Sequence, residues 1–257
     1  MTRLAGGSRR AVMAGLGAAA LMGGCARTAG HRAAGGMVVG STATGVPFSF
    51  YDVRTNELTG AMVDIARAVA VQAGFPVEVQ VTAFSALIPS LRAGKIDLIA
   101  AAMLRTPARE AVVAFSDPVY AYGGAIVVRS ADSGRYPDLR SLRGRKVGAQ
   151  VGARFVDQLV EAGVSDVRTY DNLADILRDL RLGRLDAAYG DEPIIRYYLR
   201  VTRTDALRLA AEYVPAEREE VCLILRKDDT ALAGRVNAAI AQIKSTQIAD
   251  IVRKWEL

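Results

Sequence analysis

Apolar and polar positions follow two rhythms along this chain. Met62, Ile65, Ala66, Val69, Ala70 and Ala73 recur at helical spacing, with Asp64 and Arg67 off the apolar face. Gly74 and Pro76 close that helix. Val77 to Val81 then alternates as a strand, and Phe84, Leu87, Ile88 and Leu91 predict a helix over 84–93. Ile96 to Ala102 is an almost unbroken apolar run, the pattern of a strand covered on both faces. With the short β-type run Met37 to Val39 in front, this reads as strand–helix–strand–helix–strand. After a polar stretch, Ser130 to Gly144, the order begins again. Lys146 to Gln150 predicts a strand, 153–162 a helix, Val167 to Tyr170 a strand, Asn172 the cap of a helix to Leu182, and Asp186 to Tyr189 a strand. A last strand over Val221 to Arg226 precedes two helices, the second striped by Ile248, Ile251, Val252 and Trp255. Two α/β units with mostly parallel sheets follow, the tail returning to the first. Trp255 reads as core packing.

The segment before this body has another character. Arg3, Arg9 and Arg10 precede twelve apolar residues, Ala11 to Met22, too few for the roughly 20 that cross a bilayer. This predicts a signal peptide over residues 1–24. Gly23-Gly24-Cys25 resembles the lipobox of bacterial lipoproteins, in which the cysteine receives the lipid; Met22 stands where leucine is usual. Ser8 to Met13 also resembles a twin-arginine export signal, and Arg9 and Arg10 equally serve as plain n-region charge. Residues 25–36 read as a lipidated, flexible tether. His31 falls inside it and has no second histidine with which to bind zinc. With Cys25 acylated, Cys222 has no disulfide partner, and its apolar setting marks a small buried side chain.

Composition narrows the possible functions. The 257 residues are 51% hydrophobic and 23% charged, as in an ordinary folded protein. The formal charge is +6, yet three of the basic residues lie in the leader, which has no acid. The rest of the chain carries 30 basic residues against 27 acidic, a weak footprint for nucleic acid. No metal, cofactor or nucleic-acid partner is expected, and the chain is expected to act as a monomer.

Several motifs then fall in a telling order. Gly45-Val-Pro-Phe-Ser-Phe50, Leu58-Thr-Gly60 and Val63-Asp-Ile-Ala66 come first. Ile88 to Leu98, Met103 to Arg109, Phe115-Ser-Asp-Pro118 and a tail with Val236-Asn237 and Lys254-Trp255 follow. Over residues 37–257 this resembles the family 3 extracellular solute-binding proteins, receptors of amino-acid ABC importers. The resemblance implies a type II periplasmic-binding-protein-like α/β fold: two lobes, two hinge strands, and a ligand enclosed when the lobes close. Lobe 1 is then residues 37–124 and 221–257, lobe 2 is 125–220, with crossings near Tyr122–Val128 and Glu219–Leu225. The partners implied are an amino-acid-like solute and an ABC permease. The location implied is extracytoplasmic, on a membrane through lipidated Cys25.

The resemblance also assigns site residues. Arg109, in Thr106-Pro107-Ala108-Arg109, matches the arginine whose fork grips a ligand carboxylate. Thr106 is a good helix cap with Pro107 behind it. Gly152-Ala153-Arg154 opens a helix whose backbone N–H groups should face the same carboxylate, although the usual hydroxyl is missing at Ala153. Leu104 likewise replaces a usual hydroxyl, and Ala102 shares that segment. Arg154 is open to two readings, a replacement cation or a solvent-facing side chain. Phe84 and Phe48 are either stacking surfaces for ligand or plain core. Asp97 and Asp117 read as structural. Asp191 is placed to bind a ligand ammonium, or else caps a helix beginning near Pro193.

The preferred function is therefore capture of an α-amino acid or derivative between Asp191 and Arg109. Leu104 and Ala153 also resemble the ectoine-binding branch, which keeps a compatible-solute receptor as an alternative. A cyclohexadienyl dehydratase on the same scaffold is a further one; it needs a general acid, for which Glu192 is the nearest candidate. The chain is not expected to be an enzyme.

Overall fold

The structure, a computed structural model, describes residues 36–257 of the 257. The leader, Cys25, His31 and most of the tether lie outside the described residues. The described chain begins with β1 (Met37–Ser41), β2 (Thr44–Gly45), β3 (Ser49–Asp52), β4 (Glu57–Thr59), α1 (Ala61–Ala73) and β5 (Val77–Val81). A 3-10 turn at Phe84–Ala86 runs into α2 (Leu87–Arg92), followed by β6 (Leu98–Ile99), α3 (Pro107–Glu110), β7 (Ala114–Phe115) and β8 (Tyr120–Tyr122). Next come β9 (Gly124–Arg129), β10 (Lys146–Gln150), α4 (Arg154–Glu161), β11 (Asp166–Tyr170), α5 (Leu173–Arg181), β12 (Ala187–Asp191), α6 (Glu192–Thr202) and β13 (Leu207–Leu209). The end is β14 (Glu219–Val221), β15 (Ile224–Leu225), α7 (Thr230–Ile243) and α8 (Ala249–Lys254).

Two five-stranded sheets carry the two lobes. The first has the order β5-β1-β6-β15-β7, the second β11-β10-β12-β9-β13. In the first, β1 lies parallel between β5 and β6, and β15 runs antiparallel to β6. The apolar run at 96–102 is buried because helices cover both faces. Val39 and Leu98 pack in the cluster that holds α1, while Val38 and Ile99 pack with Leu87 and Leu91 of α2. Those two leucines are fully buried, each worth about 2 kcal/mol. Without that packing so short a helix would not hold. Gly74 ends α1 in the left-handed conformation, φ 72°, as its place in the sequence implies.

The crossing strands are shorter than the sequence indicates, the first starting at Tyr120 and the second at the expected Glu219. β8 pairs antiparallel with β14, Tyr122 opposite Glu219 and Tyr120 opposite Val221. The expected Tyr122–Val128 segment is mostly β9, a full member of the second sheet between β12 and β13. The run Val221–Arg226, expected as one strand, divides between two sheets. β14 belongs to the crossing pair, and β15 enters the first sheet beside β6 and β7. The helix expected over 84–93 starts as the 3-10 turn, with Pro89 in the first turn of α2, where its missing N–H costs nothing.

Cys222 lies between β14 and β15, free and buried, and burial pushes its thiol up to about 12. Asp97 is structural, taking the Val38 amide at 3.0 Å and facing Arg226 at 3.3 Å. The tail returns to the first lobe. A π-helical turn at Lys244–Ile248 joins α7 to α8. The Trp255 indole N–H then donates to Asp64 of α1 at 2.9 Å, with its ring edge-on to Phe50 at 5.7 Å.

Candidate functional site

The site is assembled where the lobes meet beside the crossing strands. Thr106 caps α3, its hydroxyl accepting the Arg109 amide at 3.3 Å. The cap turns the Arg109 side chain back over its own segment, where Nη1 donates to the Leu104 carbonyl. Nη2 donates across the lobes to the Gly152 carbonyl at 2.9 Å. Gly152 is in the left-handed region, φ 73°, which lets the turn after β10 present that carbonyl. The Phe84 ring lies 5.9 Å from the guanidinium. A guanidinium has five N–H donors, so three remain after these two bonds. Burial works against the charge of Arg109; Tyr122, Asp157, Glu219 and Asp191 work for it.

Asp191 supplies the opposite pole. It occupies the position before α6, yet its side chain makes no capping bond. The carboxylate is buried and accepts the Tyr122 hydroxyl, whose oxygen also lies 3.0 Å from the Ala102 carbonyl. The cap alternative for Asp191 is therefore replaced by a buried acid held from the crossing strand. Burial pushes its carboxyl up to about 6, against the pull of Tyr122 and the Arg109 charge. Burial, then Asp191, holds the Tyr122 phenol well above its ordinary value, so it stays a donor. Ala102 adopts φ 50°, a conformation costly for alanine, and lines the same place.

A cavity of about 20 Å³ lies against Phe84, beside Arg109, and Ala102, beside Tyr122. Phe48, Phe84 and Ala102 line it together with Thr42, Ser49 and Gln150. Phe48 is fully buried and stacks on Tyr122 with ring centres 5.3 Å apart. Both phenylalanines thus serve as wall and core at once. The structure brings Phe48, Phe84, Ala102, Leu104, Arg109, Gly152 and Asp191 to one locality, with Leu104 contributing its carbonyl and a buried side chain.

Ala153 and Arg154 behave differently. The Ala153 N–H is taken by the Gln150 carbonyl at 3.1 Å, so this amide does not face the cleft. Arg154 is neither a spare cation nor solvent-facing. It pairs with Glu161 at 3.0 Å and with Glu219 at 3.5 Å. Glu219 also accepts from Gln158, and burial raises its carboxyl. The sequence offered no reason to single out Tyr122 or Glu219, since their partners lie 69 and 65 or fewer positions away along the chain and meet only through the crossing strands.

A larger groove of about 660 Å³ runs along α6, Tyr120 and the C-terminal residues. Arg196 pairs there with Glu192 at 2.7 Å and Arg200 with Glu256, while Arg218 is held by the Ala121 carbonyl. The smaller cavity touches Phe84 and Ala102, and through them the two poles, so it is the better site. Among the described residues no helix is long and apolar enough to cross a membrane, and no cluster of three metal-ligating side chains occurs.

Two lobes on crossing strands, with a half-buried arginine and a buried carboxylate between them, define a solute-binding protein. The chain belongs to the bacterial extracellular solute-binding proteins, family 3, whose model matches residues 37–257. It is similar to ABC transporter arginine-binding protein 1 of Escherichia coli (strain K12), 30% identical over 223 residues, 85% of this chain and 89% of that protein. Its fold is similar to an ancestral arginine-binding protein solved with arginine, at 32% identity and TM-score 0.78, covering 86% of this chain and 98% of that one. The form solved with glutamine gives 32% and 0.79, covering 88% and 99%. The chain is thus an extracytoplasmic solute-binding receptor of the kind that serves amino-acid ABC importers.

Proposed function

We propose that this receptor encloses an α-amino acid, with the ligand carboxylate on Arg109 and the ligand ammonium on Asp191. The observation that carries the reading is the meeting of those two groups at the lobe junction. Arg109 is bound to carbonyl oxygens from both lobes, and Asp191 is buried under Tyr122. Burying either charge of an amino acid unpaired costs several kcal/mol, and this pair answers both. Glu192 supports a binding role over an enzymatic one: it is held by Arg196 in the outer groove, away from the Phe84 cavity.

The loaded receptor delivers its solute to an ABC permease while tethered to the membrane by lipidated Cys25. Replacing Cys25 with alanine is expected to release an otherwise ligand-competent protein from membranes; a variant that still partitions with them ends the anchor proposal. A thermal-shift panel of amino acids, their deaminated analogues and ectoine tests the ligand class, since a ligand of the native state raises its melting temperature. Amino acids are expected to stabilise and deaminated analogues not. Stabilisation by ectoine alone would return the compatible-solute reading.

A further inference from the structure

The cavity beside the two poles, about 20 Å³, has room for about one water, and its lining is the wall a ligand side chain would meet once the lobes part to admit it. It shares Ala102 with the Tyr122–Asp191 contact, and Phe84 with Arg109. The residues around it are hydroxyl, amide or apolar, and none carries an ionisable side chain. Through Thr44, Leu173 and Ile194 it adjoins an apolar groove of about 190 Å³ between α5 and α6, where again no carboxylate is found. The acids near Arg109 give a cationic side chain no welcome either. Glu219 is held by Arg154 and Gln158, Asp191 is engaged by the ligand's own ammonium, and Asp157 is exposed on α4 outside the cavity lining. A guanidinium or ammonium entering the cavity would be stripped of water without a counter-charge.

The same wall has something to offer a neutral group. Thr42 and Ser49 are both buried and share one hydrogen bond, 2.7 Å between oxygens. One of their two hydroxyl protons is used there, and among the described residues no second acceptor faces the other. Gln150 donates its amide to the Asp171 carbonyl at 2.9 Å, which leaves its own oxygen as an acceptor at the cavity wall. A carboxamide or hydroxyl side chain meets this donor and acceptor without bringing a charge.

We infer that the receptor selects an amino acid with an uncharged, hydrogen-bonding side chain, of the carboxamide or hydroxyl class, over a cationic one. The inference rests on the amino-acid reading of Arg109 and Asp191 and specifies the remaining part of the ligand. Titration calorimetry on the full chain with glutamine, asparagine, serine, threonine, arginine, lysine, glutamate and leucine tests it. At least one of the first four is expected to bind ten-fold or more tighter than arginine and lysine. Thr42→Val should weaken that ligand about ten-fold. Gln150→Glu, at a half-buried position that tolerates the change, should raise arginine and lysine affinity at least ten-fold. Arginine, lysine, glutamate or leucine binding tightest to the wild type overturns the inference while leaving the two-pole reading intact. Binding of none of the eight overturns both.

Discussion

Two helix starts flank the cleft, α3 from the first lobe and α4 from the second, and each carries an arginine in its first turn. Arg154 on α4 has two carboxylates, Glu161 and Glu219, within 3.5 Å. Arg109 on α3 has two carbonyl oxygens. Carboxylates cancel a guanidinium; carbonyls orient it and leave its net charge standing. The difference separates an arginine that fastens structure from one that waits for an anion, although the two look alike in sequence.

Breaking the first arm of this comparison should have the largest effect. Arg109→Ala is expected to cost about 2–5 kcal/mol of binding to a carboxylate ligand, tens- to thousands-fold in Kd, with the fold intact by circular dichroism. Affinity unchanged from wild type would make Arg109 another Arg154. Asp191→Asn tests the opposite pole. It should weaken an amino acid by tens-fold and leave its deaminated analogue nearly untouched, as read by calorimetry.

A smaller effect is expected from pH. Burial raises the Asp191 carboxyl to about 6, from an ordinary 3.8. Between those values the folded protein holds a proton that the unfolded chain has released. From this group, stability of the ligand-free protein therefore falls as pH rises from about 4 to about 6, then levels off. Ligand ammonium needs the carboxylate, so affinity should decline as pH drops below about 6, with proton release on binding. Asp191→Asn should flatten both profiles. The smallest effect belongs to Arg154→Ala. Ligand affinity should change less than about three-fold, and loss of a partly exposed pair should lower stability by about 1 kcal/mol, a few degrees in Tm. A hundred-fold loss of affinity would erase the contrast between the two arginines.

Much of the scaffold was open to reading because local chemistry and global fold agree. Lys146–Gln150 is a strand bounded by Gly144 and Gly152, Asn172 caps α5 with its side chain on the Asp175 amide, and Thr106-Pro107 opens α3. Val221–Arg226 was not divisible by pattern. Its apolar side chains are buried equally in the crossing pair and in the first sheet, so nothing marks the switch at Cys222–Leu223. The charged poles of the site could be named from motif positions, but their partners could not. Tyr122 looks like any strand tyrosine until the fold sets Asp191 and the Ala102 carbonyl at its hydroxyl. Arg154 at a helix start gives no hint of Glu219 on a crossing strand.

Trp255 is the single tryptophan of the chain, and its position makes the protein its own optical gauge. The indole is tied to Asp64 and Phe50 of the first lobe, yet it lines the groove whose other wall is Arg196 and Arg200 of the second. When the lobes part, that wall recedes and water reaches the ring, while the indole's own moorings stay fixed. Emission excited in the tryptophan band then follows lobe movement with no dye attached, and the time course of capture is recorded in its intensity and colour.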